Sequence, residues 1–162
     1  MDRIKLQALH RPCGPCTKCC EGYLTGDAYG HKFYPGKSCV FICKKGCSIY
    51  DYRPKDPCVG FVCGYKVDHS IDEDLRPDLS NVIFVVRTRE NISYLHGSCT
   101  DQEPIPKLVQ WAQQWARTKQ KYILIPRSIH SPTQWPWKIS IYGPDDRLQQ
   151  LFSESGYTIV VD

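Results

Sequence analysis

The stretch NVIFVVRTRENISYLHG, residues 81–97, decides how the second half of this chain folds. It holds two runs rich in β-branched and aromatic residues, 82–87 and 91–96, with a polar turn at about Thr88–Glu90 between them. That pattern predicts a β-hairpin. Downstream the signals change to those of a helix. Pro104 or Pro106 sits in its first turn, and Asp101 and Glu103 stand at the end that favours acids. Ile105, Leu108, Val109, Ala112, Trp115 and Ala116 fall on one face, and Lys119 and Lys121 close it. KYILIP (121–126) then reads as a buried strand and WKISIYG (137–143) as an alternating one. DDRLQQLFSES (145–155) reads as a short helix capped by Gly156, and YTIVV (157–161) as a last strand. The expected outcome over residues 81–162 is a small mixed α+β lobe of roughly five strands and two helices.

Working back toward the N-terminus, VDHSIDEDLRPDLS (67–80) is acidic and interrupted by Pro77, and reads as a connector with a short helix. Residues 1–66 differ again. From about residue 11 to 66 they are dense in Gly, Pro, Tyr and Cys, with turn punctuation at Gly14-Pro15, Gly26-Asp27, Pro35-Gly36, Arg53-Pro54 and Asp56-Pro57. Helical or strand periodicity is weak, and only a short helical turn around Cys16–Cys20 is expected. Aliphatic residues are too scarce for a private hydrophobic core, and bound metal is the usual substitute. The fold class expected is therefore α+β: a loop-rich, cysteine-bearing, metal-binding N-terminal lobe packed on the C-terminal one.

Apolar content of 41% and aromatic content of 12% point to a folded chain. The formal charge of +4 divides evenly between residues 1–80 and 81–162, so neither half carries the concentrated basic face of a dedicated nucleic-acid binder, a weak patch at Lys44–Lys45 aside. Nucleic acid is thus not the favoured partner, and a protein partner stays open. No apolar run approaches the length of a membrane span. The first residues lack the apolar core of a secretory signal, and a cytoplasmic, thiol-reducing setting is expected.

Nine of the ten cysteines lie between Cys13 and Cys63, which marks a local structure and not a stapled whole domain. Thiolates are soft, charged ligands suited to zinc or to iron–sulfur clusters. The run Cys13-x2-Cys16-x2-Cys19 repeats the spacing with which bacterial ferredoxins hold three corners of a cluster. Adjacent residues project differently, so Cys19 and Cys20 serve either two centres or two irons of one cluster. Downstream come Cys39, Cys43, Cys47, Cys58 and Cys63, and spacing alone does not give the connectivity.

CGPCTKCC (13–20) and GCSIYDYRPKDPC with the following Phe61-x-Cys63 are similar to the two signature blocks of the YkgJ-type cysteine cluster family of zinc- or iron-chelating domains. The resemblance covers about residues 13–65. It implies metal ligation by Cys13, Cys16, Cys19, Cys20, Cys39, Cys47, Cys58 and Cys63, with Cys43 an addition to the pattern. The second block has an extra residue or two before Cys58. One branch of that family, which methylates lysines of flagellin, is associated with an iron–sulfur cluster, and this tilts the expected cofactor toward iron over zinc. The methylation activity does not transfer, because no Gly-rich strand-to-helix turn for an adenosyl cofactor is present.

Around the ligands, His31, Arg53 and Tyr50 are candidates to support the metal from outside, Arg53 by neutralising thiolate charge and Tyr50 by shielding the site or donating to sulfur. The bland alternatives are a loop histidine, a turn arginine and simple packing. His10 and His69 carry less weight. Cys99 near His96 reads as a buried free thiol, since no flanking nucleophile motif accompanies it. Trp111 and Trp115 read as core, with Trp135 and Trp137 a possible partner surface. Two functions stay open on these grounds. One is an iron–sulfur or zinc protein with a redox or protein-modifying role. The other is a non-enzymatic, zinc-stabilised module that binds a protein or nucleic acid.

Overall fold

The computed structural model describes residues 11–99, 101–130, 133 and 135–162, and His10 lies outside the described residues. The chain forms both helices and strands, an α+β protein.

Short elements come first. A tight helical turn spans Lys18–Glu21. Two small antiparallel hairpins follow, β1 (Gly26–Ala28) with β2 (His31–Phe33), and β3 (Ile42–Cys43) with β4 (Gly46–Cys47). Their strands are too short to show a period of two, so the sequence pattern missed them. Their turns are legible in hindsight: Tyr29 and Gly30 both take positive φ, +52° and +85°, as two-residue hairpin loops require. One-turn helices α1 (Gly64–Val67) and α2 (Pro77–Ser80) close this region.

The hairpin of residues 81–97 is present, with β5 (Ile83–Arg89) paired antiparallel to β6 (Ile92–Ser98) from Ile83↔Ser98 to Arg89↔Ile92. The strands run further than expected and the turn is Glu90-Asn91, not Thr88–Glu90. Both of its residues have positive φ, +46° and +64°, so two residues suffice to reverse the chain. The helix α3 (Lys107–Lys119) starts after Pro106. Ile105 therefore packs against the core from the turn before the helix, and Leu108, Ala112, Trp115 and Ala116 form the buried face. β7 (Tyr122–Pro126) is buried along its whole length. β8 (Lys138–Tyr142), α4 (Arg147–Glu154) and β9 (Thr158–Ile159) complete the chain.

The strands make one mixed sheet in the order β5-β6-β7-β8-β9. β6/β7 and β8/β9 are parallel pairs, joined across α3 and α4 respectively, and the other two pairs are antiparallel. Alternate residues of β7 join different cores. Ile123 and Ile125 pack with α3, while Tyr122 and Leu124 pack with α4. The helices thus cover opposite faces, which explains why β7 reads as an unbroken apolar run.

The first core also takes in Tyr23, Tyr65, Ile71 and Leu75 from the N-terminal half. Gly64 opens α1 directly over β5, where a Cβ would stand 2.9 Å from the Phe84 Cβ and 3.0 Å from its carbonyl oxygen. No side chain fits there. Residues 24–58 hold only a small separate core, with Ala28, Phe33 and Cys39 buried.

Candidate metal centre

The cysteine segment is fastened to the sheet at two places, and these fix where its thiols lie. At the first, the Arg11 guanidinium stacks over the Tyr65 ring at 3.6 Å, and Nη2 donates to the carbonyls of Asp68 (3.1 Å) and Ile71 (2.5 Å). The Arg11 amide donates to the Lys66 carbonyl. This contact lays residue 11 along α1 and brings Cys13 beside Cys63, although fifty positions separate them. At the second, the largely buried Lys18 ammonium meets Asp101 at 2.9 Å and Glu21 at 3.1 Å, while the Tyr23 hydroxyl donates to Asp101 and to the Asn81 carbonyl. This holds the helical turn with Cys19 and Cys20 against the segment after β6.

Replacing Asp101 with alanine leaves Lys18 with Glu21 as its remaining acid. Because Asp101 is itself partly open to water, the expected loss is about 1–3 kcal/mol, below that of a fully buried pair. Urea unfolding of Asp101→Ala checks it, and an unchanged midpoint would remove this anchor from the account.

Eight cysteines fall into two groups. Cys13, Cys16, Cys19 and Cys63 line one small cavity of about 30 Å³, with Lys66 and Arg76 in its wall. Cys20, Cys39, Cys47 and Cys58 form the other group: Cys20 and Cys58 pack in the small core with Cys39, both feel the charges of Cys39 and Cys47 as well as that of Cys19, and the Cys39 amide donates to the Cys20 carbonyl at 2.8 Å. Cys19 and Cys20 belong to different groups although they are neighbours in sequence. Their sulfurs are 3.8 Å apart, so the groups meet at this pair. Cys43, on the second hairpin, is exposed.

Burial pushes the Cys13 thiol up, Cys16 up to about 12 and Cys63 up to about 11. Burial also raises Cys58. The hydrogen bond between the adjacent pair holds Cys19 down at about 7 and raises Cys20. Without a cation to compensate them, most of these thiols keep their protons. A thiophilic metal would displace those protons, which makes its binding pH-dependent.

Among the described residues, no group of three or more His, Cys, Asp or Glu side chains is arranged to hold a metal ion. Ligation by either group therefore requires its thiols to draw in. The donor set suits such a metal in chemistry: four thiols per group, with the Lys66 and Arg76 cations beside the first to offset the negative charge of a tetrathiolate centre.

Arg53 stacks over Tyr50 at 3.8 Å and donates to the Tyr50 carbonyl. Burial raises both Cys13 and Cys58, and the Arg53 charge offsets a small part of that rise in one thiol from each group. His31 lies exposed on β2, its ring edge-on to Phe41 at 5.4 Å. Sequence reasoning missed Lys66, Arg76 and Asp78. Asp78 pairs with Arg76 at 2.6 Å and interacts with the Cys16 thiol. No spacing signal marks them, because only the folding of 64–80 brings them to the cavity. Cys99 is fully buried, donates to the Ser128 carbonyl at 3.2 Å, and is pushed up to about 12 by burial, so it is a poor nucleophile.

Fold and site together define a mixed α+β protein with a cysteine-rich segment, four of whose thiols line one cavity next to the sheet while Cys20, across the Cys19–Cys20 contact, joins the small core of Cys39 and Cys58. No family model, curated protein or solved structure matches the chain. No helix among the described residues is long and apolar enough to cross a membrane.

Proposed function

We propose that this is a metal–thiolate protein with two four-cysteine sites, Cys13/Cys16/Cys19/Cys63 and Cys20/Cys39/Cys47/Cys58. The observation that carries the reading is the division itself: the eight cysteines separate into two fours, and the ninth clustered one, Cys43, stands exposed outside both. Two fours match two tetrahedral ions. Four thiols with no further donor are the set that closes around one zinc ion once they draw in around the first cavity, about 30 Å³. A closed tetrathiolate zinc site leaves no open coordination position, so its role is to hold loops in place. The protein then works as a non-enzymatic module whose metal organises a binding surface.

One specific feature favours a second reading, an iron–sulfur cluster with a redox or protein-modifying role: the strict Cys13-x2-Cys16-x2-Cys19 spacing. Metal and acid-labile sulfide analysis of protein purified without oxygen, with its visible absorption, separates the two. Colourless protein with two zinc ions per chain is expected. Replacing Cys13 and Cys63 by alanine should remove one ion, and replacing Cys39 and Cys47 the other. Iron with sulfide and a brown colour moves the conclusion to the second reading. Protein that retains no metal overturns both.

A further inference from the structure

The even charge balance of the two halves conceals a local imbalance. Residues 29–55 carry six basic residues and one acid, Asp51. Among the described residues, none of Lys32, Lys44, Lys45 and Lys55 has a carboxylate partner, and all four are exposed. These lysines are distinct from the cations that face the thiols, which are Lys66, Arg76 and Arg53. Their charge is turned outward, so balancing a metal–thiolate centre does not account for it.

The same surface exposes aromatic rings. Tyr52 is 65% exposed and Tyr29 59%, values far from those of core tyrosines such as Tyr65 at 5%. They adjoin one another, since the Tyr29 hydroxyl donates to the Tyr52 carbonyl. Tyr29 also meets the Phe41 ring edge-on at 6.5 Å. Phe41 stands at the base of the hairpin that lifts Lys44 and Lys45, where the Ser48 amide donates to its carbonyl. The rings thus adjoin the base of the hairpin that carries Lys44 and Lys45.

We propose that this face, with Tyr29 and Tyr52 as stacking platforms and Lys44 and Lys45 on the adjoining hairpin, binds single-stranded nucleic acid. Exposed tyrosine rings offer flat π surfaces to unpaired bases, and unpaired lysines track the phosphate backbone. An acidic protein would also use the lysines, and the polyglutamate arm of the test below separates the two. The inference goes beyond the metal reading and holds for either metal, because none of its side chains lines the thiol cavity.

The test is binding of a fluorescent twelve-residue oligouridylate to the protein as purified, over a salt series starting at about 50 mM. Micromolar or tighter binding is expected at the low end, falling linearly in log–log form as salt rises. Tyr52→Leu should weaken it about fivefold or more at every salt concentration. Lys44→Glu with Lys45→Glu should weaken it and flatten the salt slope by about one to two. All variants must keep the metal content and circular dichroism of the parent. Three results would overturn the proposal: no oligouridylate binding at the lowest salt, binding that is untouched by Tyr52→Leu and equally displaced by heparin, or preference for polyglutamate over the oligonucleotide.

Discussion

On the proposed metal–thiolate reading, treatment with a chelator under reducing conditions is expected to open residues 24–62 to protease while the five-stranded sheet stays protected. The reason lies in how unevenly the apolar core is shared. The first core gathers fifteen buried residues around α3 and the sheet, whereas residues 24–58 bury four apolar side chains, Ala28, Phe33, Cys39 and Ile49. Burying one phenylalanine contributes about 2–3 kcal/mol, less than the ordering of two or three residues costs. Structural zinc contributes far more, on the order of 10 kcal/mol in small zinc domains. Tyr23 and Tyr65, at the two ends of the segment, belong to the main core and should stay in place, so the first cuts fall between them. Mass spectrometry of the early fragments reads the result directly. Equal protection of both regions after complete metal removal would show that the segment holds itself together by other means.

The second large effect is one of pH. His96 and His130 lie close enough to influence each other, and among the described residues His96 Nδ1 and His130 Nε2 are buried without a hydrogen-bond partner. Burial lowers both imidazoles from 6.5 to about 4, and for His96 the neighbouring His130 and Arg87 add to it. The sign follows from which state takes up protons first. Between pH 6.5 and 4 the unfolded chain protonates these histidines and the folded chain does not, so stability present above pH 6.5 is lost as pH falls toward 4. At about 1.4 kcal/mol per pH unit, each histidine costs on the order of 3 kcal/mol at most across that window. Asp78, Asp145 and Asp162, each bonded to an arginine that holds it below the ordinary carboxylate range, add their losses only under about pH 4. Acid also releases thiolate-bound metal, so the informative quantity is a difference. The stability gap between His96→Gln and the parent should shift in favour of the variant as pH drops from 7 to 4.5. A gap that does not change with pH would mean that the imidazoles find partners or charge freely in the folded state.

Much of residues 81–162 was legible because its elements are long enough to repeat. The Leu108–Ala116 face spans more than two helical turns, and Tyr122–Pro126 is a full buried strand. Turn placement was less legible, since a Glu-Asn pair in the left-handed region lacks the glycine that usually marks a two-residue loop. The thiol donors were visible as residue types, but their grouping was not. Whether Cys19 sides with Cys63 or with Cys39 depends on Arg11 docking to α1 and on Lys18 docking to Asp101, contacts made across fifty or more positions. The basic face was hidden by averaging: the excess over 29–55 is offset by the five acids of 67–80, and a count over half the chain erases both.

The order of the sheet bears on how the molecule behaves in company. An open sheet ends in two strands with unpaired backbone groups, and such edges invite other chains to add on. Here the far edge, β9, is two residues long and offers little template. The near edge, β5, is seven residues long and exposes Val86, yet α1 sits close against it at Phe84 and its outer half carries Arg87 and Arg89. A chain attempting to pair there meets a helix at one end and like charges at the other. Both features oppose edge-to-edge pairing of a second copy.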